Sequence, residues 1–253
     1  MAKIIAITNQ KGGVGKTTTA TALATGLNLK GKKTLLVDTD PQCNSTDTYR
    51  AQTEDVATLY DVLCEGENAL TSIQHTASGD ILPADKLLSR AESRLPAVGN
   101  GNVLKAALQP VLGFYEYIII DTPPALGMLL ANALTAADTL IVPISPDRYS
   151  LQGLADLQET IAAAKRYTNP ALTVSGLLLT QYNGRTNLAK DITSDMPSIA
   201  EALGTEVFNT PIRISVAAKE AQVMQTSLFE HAPNSTTAQD YMQLVDELLE
   251  RGI

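Results

Sequence analysis

A glycine-rich segment near the amino terminus has the residue types and spacing best suited to chemistry. Residues 9–18 read NQKGGVGKTT, with an apolar run at 4–7 before them and a helical pattern at 19–30 after them. Glycines let the backbone bend so that successive N–H groups converge on phosphate oxygens, and the helix start adds partial positive charge. Lys16 would then reach the β- and γ-phosphates of a nucleotide, and the Thr17 hydroxyl would bind Mg²⁺. The segment predicts a phosphate-binding loop rather than a flexible glycine turn.

A second lysine at the start of this loop is unusual. The usual pattern has glycine six residues before the loop lysine; here Gln10 stands at that position and Lys11 follows it. A side chain at the loop entrance leaves from the far side, so it cannot easily reach phosphates held in the same loop. It can reach a nucleotide bound in a facing copy of the chain, so we predict that Lys11 acts in trans. The alternative is a solvated surface lysine.

Apolar runs that alternate with helical patterns indicate the fold class. The runs lack polar alternation, which is typical of strands covered on both faces, and they occupy 4–7, 34–37, 117–120, 139–144 and 174–179. Helical patterns separate them, notably at 19–30, 126–136, 150–167 and 187–203. This alternation predicts an α/β fold with a mainly parallel β-sheet flanked by helices on both faces. Ligands bind such sheets beyond the carboxyl ends of the strands, so the loops that follow the first three runs should converge there.

Composition limits the kinds of protein that the chain can be. A net charge of −8 and a pI of about 4.8 argue against a basic body that binds nucleic acid, so any DNA contact must be local and salt-dependent. Cys43 and Cys64 are too few for a disulfide framework and suit a reducing cytosol. No signal-peptide pattern and no run of about 20 apolar residues is present. We expect a soluble cytoplasmic protein and, without internal repeats or linkers, one domain over residues 1–253.

Several ordered motifs resemble one family of nucleotide-binding proteins. The sequence KGGVGKTT at 11–18 is similar to the deviant Walker A box of the ParA/MinD superfamily of ATPases. Four further segments fit ParA-type partition ATPases within it, namely 36–42 (LVDTDPQ), 118–124 (IIIDTPP), 132–138 (NALTAAD) and 210–213 (TPIR). The resemblance runs nearly the whole length and implies a P-loop NTPase fold of the deviant Walker A type, with ATP and Mg²⁺ as cofactors. The chain departs from the family at Cys43, where glycine is common, so loop geometry can differ there.

The resemblance gives roles to acidic residues that follow two of the predicted strands. Asp40 matches the family's water-orienting acid, and a carboxylate can accept a hydrogen bond from water and aim its lone pair; the alternative is a cap for the turn before Pro41. Asp38 would orient metal-bound water or the loop. Asp121 matches the Walker B acid, with an indirect contact to Mg²⁺; both acids could instead be structural. The expected metal-site residues are Thr17, Asp38 and Asp121, and the expected catalytic residues are Lys11, Lys16 and Asp40.

Recognition of the nucleotide base depends on two later segments. Asn183 could read the base edge through its amide and Pro211 could pack on the adenine ring, where ParA-type proteins line the base; an ordinary loop turn is the alternative for each. The prediction of ATP rather than GTP as the nucleotide rests mainly on the resemblance. It agrees with the lack of an Asn-Lys-x-Asp run, which is specific for guanine. The expected nucleotide-binding residues are Lys11, Gly12, Gly13, Val14, Gly15, Lys16, Thr17, Thr18, Asn183 and Pro211.

The last helical pattern, at 235–251, separates two kinds of superfamily member. One stripe is apolar, and it consists of Tyr241, Leu244, Val245, Leu248 and Leu249. The polar face carries one arginine and four acids, which are Asp240, Asp246, Glu247 and Glu250. Anionic lipid would repel such a face. We therefore predict a helix docked on the core rather than the membrane-binding tail of MinD-type proteins.

Scattered basic residues are the candidates for DNA contact. Each taken alone reads as a solvated charge, but as a group they predict nonspecific DNA binding by the nucleotide-bound dimer, because dimerisation doubles the phosphate contacts. The candidates are Arg185, Lys190, Arg213 and Lys219.

These observations favour a partition ATPase over two alternatives. ATP would join two subunits, the dimer would hold DNA, and a ParB-type adaptor would stimulate ATP hydrolysis, which segregates a plasmid, chromosome or other cargo. One alternative is a MinD-type positioning ATPase, which the acidic last helix disfavours. The other is an ATP-dependent biosynthetic ligase or amidase, which needs a substrate pocket with convergent polar groups. No catalytic cysteine–histidine set supports it, since His75 and His231 lie in polar surroundings.

Overall fold

A seven-stranded sheet forms the centre of the computed structural model, which describes residues 1–95, 101–147 and 150–253 and, at 150–155, 187, 188 and 190, the backbone alone. The strands are β1 (Lys3–Ile7), β2 (Thr34–Asp38), β3 (Gln74–Thr76), β4 (Gly79–Leu82), β5 (Tyr117–Asp121), β6 (Thr139–Ile144) and β7 (Thr173–Leu179). Their order is β3-β4-β2-β5-β1-β6-β7. Every pair of neighbours is parallel except β3 and β4. The predicted fold class, an α/β fold with a mainly parallel sheet, is confirmed.

Helices connect the strands and cover both faces of the sheet. They are α1 (Lys16–Leu29), α2 (Asn44–Thr48), α3 (Leu59–Cys64), α4 (Ala69–Ser72), α5 (Ala91–Arg94), α6 (Val103–Leu108), α7 (Met128–Ala136), α8 (Ser150–Tyr167), α9 (Asn187–Ala202), α10 (Val216–Val223), α11 (Leu228–His231) and α12 (Thr236–Glu250). The strand predicted at 139–144 and the helix predicted at 150–167 have those bounds. Two short 3₁₀ helices lie at Lys86–Arg90 and Gln109–Val111.

Strand residues alternate between two hydrophobic layers. Ile4 and Ala6 of β1 belong to one buried cluster, whereas Ile5 and Ile7 belong to the other. The first cluster includes apolar side chains of α3, α6, α7, α8 and α9, and the second includes those of α1 and α12. Because successive side chains of a strand point to opposite faces, a strand buried on both sides must be apolar throughout. This explains the continuous aliphatic runs in the sequence.

Helix α1 begins at the loop lysine, three residues before the helical pattern predicted at 19–30. Gly15 precedes it with a φ of 88°, a left-handed conformation that glycine adopts without steric penalty. The helix therefore starts directly at Lys16, and its amino terminus faces the loop. This geometry brings the partial positive charge of the helix to the predicted phosphate site.

The last helix docks on the core, in agreement with the sequence-based prediction. Tyr241, Leu244, Val245 and Leu248 of α12 are buried, and the Tyr241 hydroxyl lies 3.0 Å from the hydroxyl of Thr19 in α1. No helix in the described part of the chain is long and apolar enough to cross a membrane. Helix α12 is thus part of the layer that supports the glycine-rich loop.

Replacement of Gly26 tests how tightly α1 and α12 pack. A Cβ at position 26 would lie 2.8 Å from Cγ2 of Val245, well inside the optimum of about 3.5–4.0 Å for two carbon atoms. We expect Gly26→Ala to lower the free energy of unfolding by about 1 kcal/mol, because overpacking that costs about 2 kcal/mol exceeds the gain of about 1 kcal/mol from alanine's helix propensity. Urea denaturation measures this change.

The Val245→Ala background is the control. There the clash is removed, so Gly26→Ala should raise the free energy of unfolding by about 1 kcal/mol through helix propensity alone. An effect of the same sign in both backgrounds would contradict the close approach of the two helices.

Candidate functional site

Two side chains directly after β7 hold the glycine-rich loop. Gly13 and Gly15 have φ angles of 74° and 88°, which glycine tolerates best. The Thr180 hydroxyl donates to the carbonyl of Val14 at 2.7 Å, and the Gln181 amide donates to the carbonyl of Gly13. Because these carbonyls are tied to the body of the protein, the loop can present its N–H groups to the adjoining cleft. That arrangement binds anions such as phosphate.

Lys16 lies where the loop meets the acidic edge of the sheet. Its Nζ donates to the carbonyl of Lys11 at 3.0 Å, and the side chain is buried. Burial lowers the pKa of the ammonium group, while the charges of Asp121 and Asp40 act in the opposite direction. A phosphate in the cleft would add the anionic partner that this position suits.

Two buried carboxylates end neighbouring strands at this edge. Asp38 and Asp121 are register partners at the carboxyl ends of β2 and β5. Burial raises the pKa of both carboxyl groups, and the charge of Asp121 raises the pKa of Asp38 further. A divalent cation at this edge would favour the ionised forms, since it would be the largest local charge.

Asp38 already has protein donors on both oxygens. Its Oδ1 accepts from the amide of Asp40 at 3.0 Å, and its Oδ2 accepts from the amide and the hydroxyl of Thr46 at 2.9 and 2.7 Å. The geometry therefore favours the loop-orienting role among the roles predicted for Asp38. A metal contact from Asp38 stays a prediction.

Asp121 has one engaged oxygen and one without a partner. Oδ2 accepts from the Ser45 hydroxyl at 2.8 Å, whereas Oδ1 is buried with no hydrogen-bond partner among the described residues. An unpaired buried acceptor costs about 1–3 kcal/mol, so Oδ1 marks a place for a donor or cation. Burial raises the pKa of the Asp121 carboxyl group, and the nearby hydroxyls of Ser45 and Thr17 lower it.

These groups fit Mg²⁺ bound together with phosphate. Mg²⁺ takes oxygen ligands, and it commonly keeps waters while it binds one or two carboxylates and substrate phosphates. No cluster of three or more His, Cys, Asp or Glu residues in the described ranges could hold a metal by itself. Thr17 and Asp121 would therefore share the ion with the nucleotide rather than form a separate metal centre.

The loop after β2 accommodates Cys43 and keeps Asp40 at the cleft. Cys43 has a φ of 58°, a left-handed conformation that costs a residue other than glycine about 1–2 kcal/mol. This explains why glycine suits the position in the resembling family. Asp40 lines the cleft, and its Oδ1 accepts from the amide of Gln42 at 2.9 Å. The thiol is thus accommodated without removal of Asp40 from the site.

Lys11 contacts its own chain at the loop entrance. Its Nζ forms an ion pair with Oδ1 of Asp147, and both side chains are partly exposed. The amide of Lys11 donates to Oδ1 of Asn9 at 2.9 Å, which turns the chain into the loop. The ammonium group therefore has a partner within the same chain, and its action in trans stays a prediction.

A cleft of about 570 Å³ begins at the glycine-rich loop. Ligand pockets commonly enclose about 300–1,000 Å³, so this volume suits a nucleotide. The lining includes residues that the sequence analysis did not assign to the nucleotide site, among them Ile212, Arg213, Ser215, Gln222, Thr237 and Tyr241. The segment before α10 and the helices α10 and α12 thus form the wall opposite the loop.

The two predicted adenine contacts lie outside the residues that line this cleft. Asn183 shapes a turn, because its Oδ1 accepts from the amide of Arg185 at 3.2 Å. Pro211 directly precedes Ile212, which does line the cleft. Base contacts from Asn183 and Pro211 stay predictions, and Ile212 is the neighbour that the motif at 210–213 could have indicated.

Two of the four acids predicted to lie on the polar face of the last helix point inward instead, so that prediction is wrong for them. Asp240 and Glu247 are buried. Glu247 accepts from the amide of Asn209 at 2.9 Å, and Asp240 accepts from the amide and the guanidinium of Arg213 at 2.9 and 2.6 Å. These carboxylates fix 209–213, part of which borders the cleft. The only feature of the sequence that could have indicated their burial is their spacing of seven residues, which places both beside the apolar stripe of the helix.

The four residues predicted to contact DNA lie in different surroundings. The guanidinium of Arg213 is paired with the buried Asp240. Lys219 is exposed on α10 and, like Arg213, lines the cleft. Arg185 is exposed in the loop before α9, and the side chain of Lys190 lies outside the described residues. Arg213 and Lys219 line the same cleft, and DNA contact by the four stays a prediction.

Comparison with known proteins agrees with this geometry. A family model described as AAA domain matches residues 2–174. The sporulation initiation inhibitor protein Soj of Bacillus subtilis is 38% identical over 256 residues, with 100% of both chains covered. The chromosome partitioning protein ParA of Caulobacter vibrioides is 36% identical, with 98% of this chain and 94% of that protein covered. The chain belongs to the ParA/MinD superfamily of P-loop ATPases.

The solved structure of a synthase is also similar to this chain. Cobyrinic acid a,c-diamide synthase from Mycobacterium smegmatis, with bound ADP and magnesium, superposes with a TM-score of 0.85 at 31% identity. The alignment covers 99% of this chain and 95% of the synthase. This chain is thus similar both to partition proteins and to a synthase, so its function has to be argued from the site.

Asp240→Asn tests whether α12 fixes the wall of the cleft. The variant removes the charge that pairs with Arg213, so we expect a loss of about 2 kcal/mol in the free energy of unfolding and weaker ATP binding. Asp246→Asn on the same helix is the control, because Asp246 forms a half-exposed pair with Lys30 at 2.5 Å. An exposed pair contributes at most about 1 kcal/mol. Urea denaturation and calorimetry measure both variants, and equal losses would contradict the bracing role.

Proposed function

We propose that this chain is a partition ATPase, which dimerises when it binds ATP and Mg²⁺ and holds DNA as a dimer. The observation that carries the proposal is the glycine-rich loop with two lysines, Lys16 within it and Lys11 at its entrance, beside the buried acids. Identity of 38% with Soj over the whole chain supports it. The name of the Caulobacter relative refers to chromosome partitioning and supports it further.

Nucleotide binding follows from the loop and the start of α1. The loop N–H groups, the helix amino terminus and the Lys16 ammonium group would stabilise the β- and γ-phosphates. The Thr17 hydroxyl and Oδ1 of Asp121 would hold Mg²⁺ and its water, and the bound ion would neutralise charge on the phosphates. The wall at Ile212 and Tyr241 would contact the nucleoside.

Hydrolysis requires a water in line with the γ-phosphate. Asp40 can hold that water, because it lines the cleft and its own orientation is set by the amide of Gln42. The carboxylate accepts a hydrogen bond from the water and directs its lone pair toward phosphorus. The bond between the γ-phosphorus and the bridging oxygen then breaks, so that ATP and water give ADP and phosphate.

ATP favours the dimer when it contacts both chains. For this, Lys11 has to leave Asp147 for the terminal phosphate in the facing subunit. A partly exposed ion pair contributes at most about 1 kcal/mol, whereas a charge-assisted hydrogen bond to phosphate is among the stronger polar contacts. Asp147 can thus hold the ammonium group in the monomer without preventing the exchange.

The dimer would bind DNA nonspecifically and respond to an adaptor. With a net charge of −8, DNA contact has to come from local basic groups, and the candidates are Arg185, Lys190, Arg213 and Lys219. Binding should therefore weaken steeply with salt. A ParB-type adaptor would stimulate hydrolysis and release the dimer, which would be nucleoid-associated in the cytoplasm only while ATP is bound.

A biosynthetic amidase is the second candidate, because the diamide synthase shares 31% identity with this chain. Such an enzyme uses ATP to phosphorylate a small carboxylate substrate, so its ATP turnover depends on that substrate. A partition ATPase instead hydrolyses ATP with DNA and an adaptor alone. A MinD-type membrane role is disfavoured, since the apolar side of α12 is buried in the core.

Asp40→Ala tests the switch. The variant should bind ATP, lose turnover and remain a dimer, because the unhydrolysed nucleotide stays in contact with both subunits. Light scattering with ADP, ATP and a nonhydrolysable analogue measures the fraction of dimer. DNA filter binding in the same buffers measures the affinity for DNA. Lys16→Ala, expected to bind no ATP, is the control. Wild-type turnover in Asp40→Ala would refute the water-orienting role, and equal DNA affinity with and without ATP would refute the switch.

Lys11→Ala tests the proposed contact between Lys11 and the terminal phosphate of the nucleotide in the facing subunit. We expect ATP binding by the monomer to persist and ATP-driven dimerisation to weaken at least about tenfold, which corresponds to one charge-assisted contact. Asp147→Asn is the matched control, because it removes the partner in the same chain but keeps the ammonium group. That variant should dimerise at least as well as the wild type. Equal dimer fractions for Lys11→Ala and wild type would remove the role in trans.

A further inference from the structure

The first turn of α2 rests on the two buried acids. The Ser45 hydroxyl donates to Oδ2 of Asp121 at 2.8 Å. The next residue, Thr46, donates its amide and its hydroxyl to Oδ2 of Asp38 at 2.9 and 2.7 Å. The same stretch of chain carries Asp40 a few residues earlier. One short turn therefore links the water-orienting candidate to both acids.

Ser45 has no direct route to a ligand. Its side chain is 0% exposed, and in the described part of the chain the cleft is lined by other residues. The Ser45 hydroxyl can therefore act on a nucleotide or a metal only indirectly, and the residue to which it donates is Asp121.

The hydrogen bond from Ser45 decides which way this carboxylate faces. Rotation of an aspartate carboxylate about χ2 is soft, with a broad and roughly two-fold preference. The Ser45 hydroxyl holds Oδ2, so Oδ1 is left in the buried position without a partner.

We propose that Ser45 is a positioning residue for Mg²⁺: its hydroxyl holds Oδ2 of Asp121 so that Oδ1 faces the ion or its bound water. The inference rests on the proposed function only in that the nucleotide binds together with Mg²⁺. Groups that orient metal ligands from behind typically change metal affinity by about 10–100-fold when they are removed. Ser45 also belongs to the turn that follows Asp40, so the metal position and the water-orienting residue share one anchor.

The test measures how strongly Mg²⁺ promotes nucleotide binding. Dissociation constants for a fluorescent nonhydrolysable ATP analogue are measured in Mg²⁺ and in EDTA, and their ratio reports the coupling between metal and protein. Ser45→Ala should reduce this ratio at least about tenfold. The loss should appear as weaker binding in Mg²⁺, with wild-type binding in EDTA, because Ser45 does not line the cleft. Binding equilibria are read directly, without turnover.

Two controls separate positioning from a general loss of packing. Ser72→Ala removes another buried serine hydroxyl, which donates to the carbonyl of Asn68 at 3.0 Å in α4, and it should leave the ratio unchanged. In an Asp121→Asn background, Ser45→Ala should have little further effect, since coupled residues are non-additive.

Several results would overturn the inference. They are a wild-type ratio in Ser45→Ala, an equal shift in Ser72→Ala, parallel weakening in Mg²⁺ and EDTA, or a full effect of Ser45→Ala in the Asp121→Asn background. Equal affinity of the wild-type protein in Mg²⁺ and EDTA would be a different failure. It would refute the Mg²⁺ part of the proposed function, and the inference with it.

Discussion

Two carboxylates buried side by side constrain most of this site. The parallel register of β2 and β5 puts Asp38 and Asp121 next to each other at the strand ends, and burial raises the pKa of both. Their oxygens need donors. The loop after β2 and the first turn of α2 supply them to Asp38, and Ser45 of that turn supplies one to Asp121. Oδ1 of Asp121 remains unpartnered among the described residues, so the fold itself creates a position that favours a cation beside the phosphate loop.

The central strands and the phosphate loop were predictable because their signals are local. A strand buried on both faces is apolar throughout, and the loop's glycines occupy consecutive positions, so neither depends on distant residues. The edge strand β3 lacks such a signal, since Gln74–Thr76 is short and polar and is stabilised by its hairpin pairing with β4. Helix α10 was missed for a related reason, because its buried side consists of alanines that give weak periodicity.

The rest of the site could not be predicted because its contacts join residues far apart in sequence. The periodicity of α12 identified the apolar stripe but not the partners of the acids at its edge. Asp240 and Glu247 accept from backbone amides at 213 and 209, and the sequence does not indicate where those amides lie. Ile212 lines the cleft, and its backbone pairs with Leu179 and Tyr182, contacts that the sequence does not indicate.

The acids of α12 also explain how one acidic helix can serve nucleotide binding. Tyr241 reaches Thr19 in α1 at 3.0 Å, and Asp240 holds the wall at Arg213. Helix α12 thus contacts both sides of the cleft, namely α1, which directly follows the phosphate loop in sequence, and the segment at Arg213. If α12 moved out to lie on a membrane, it would expose the buried Leu244 and Leu248 and release both walls. In this chain, cleft integrity and a membrane-bound last helix therefore exclude each other.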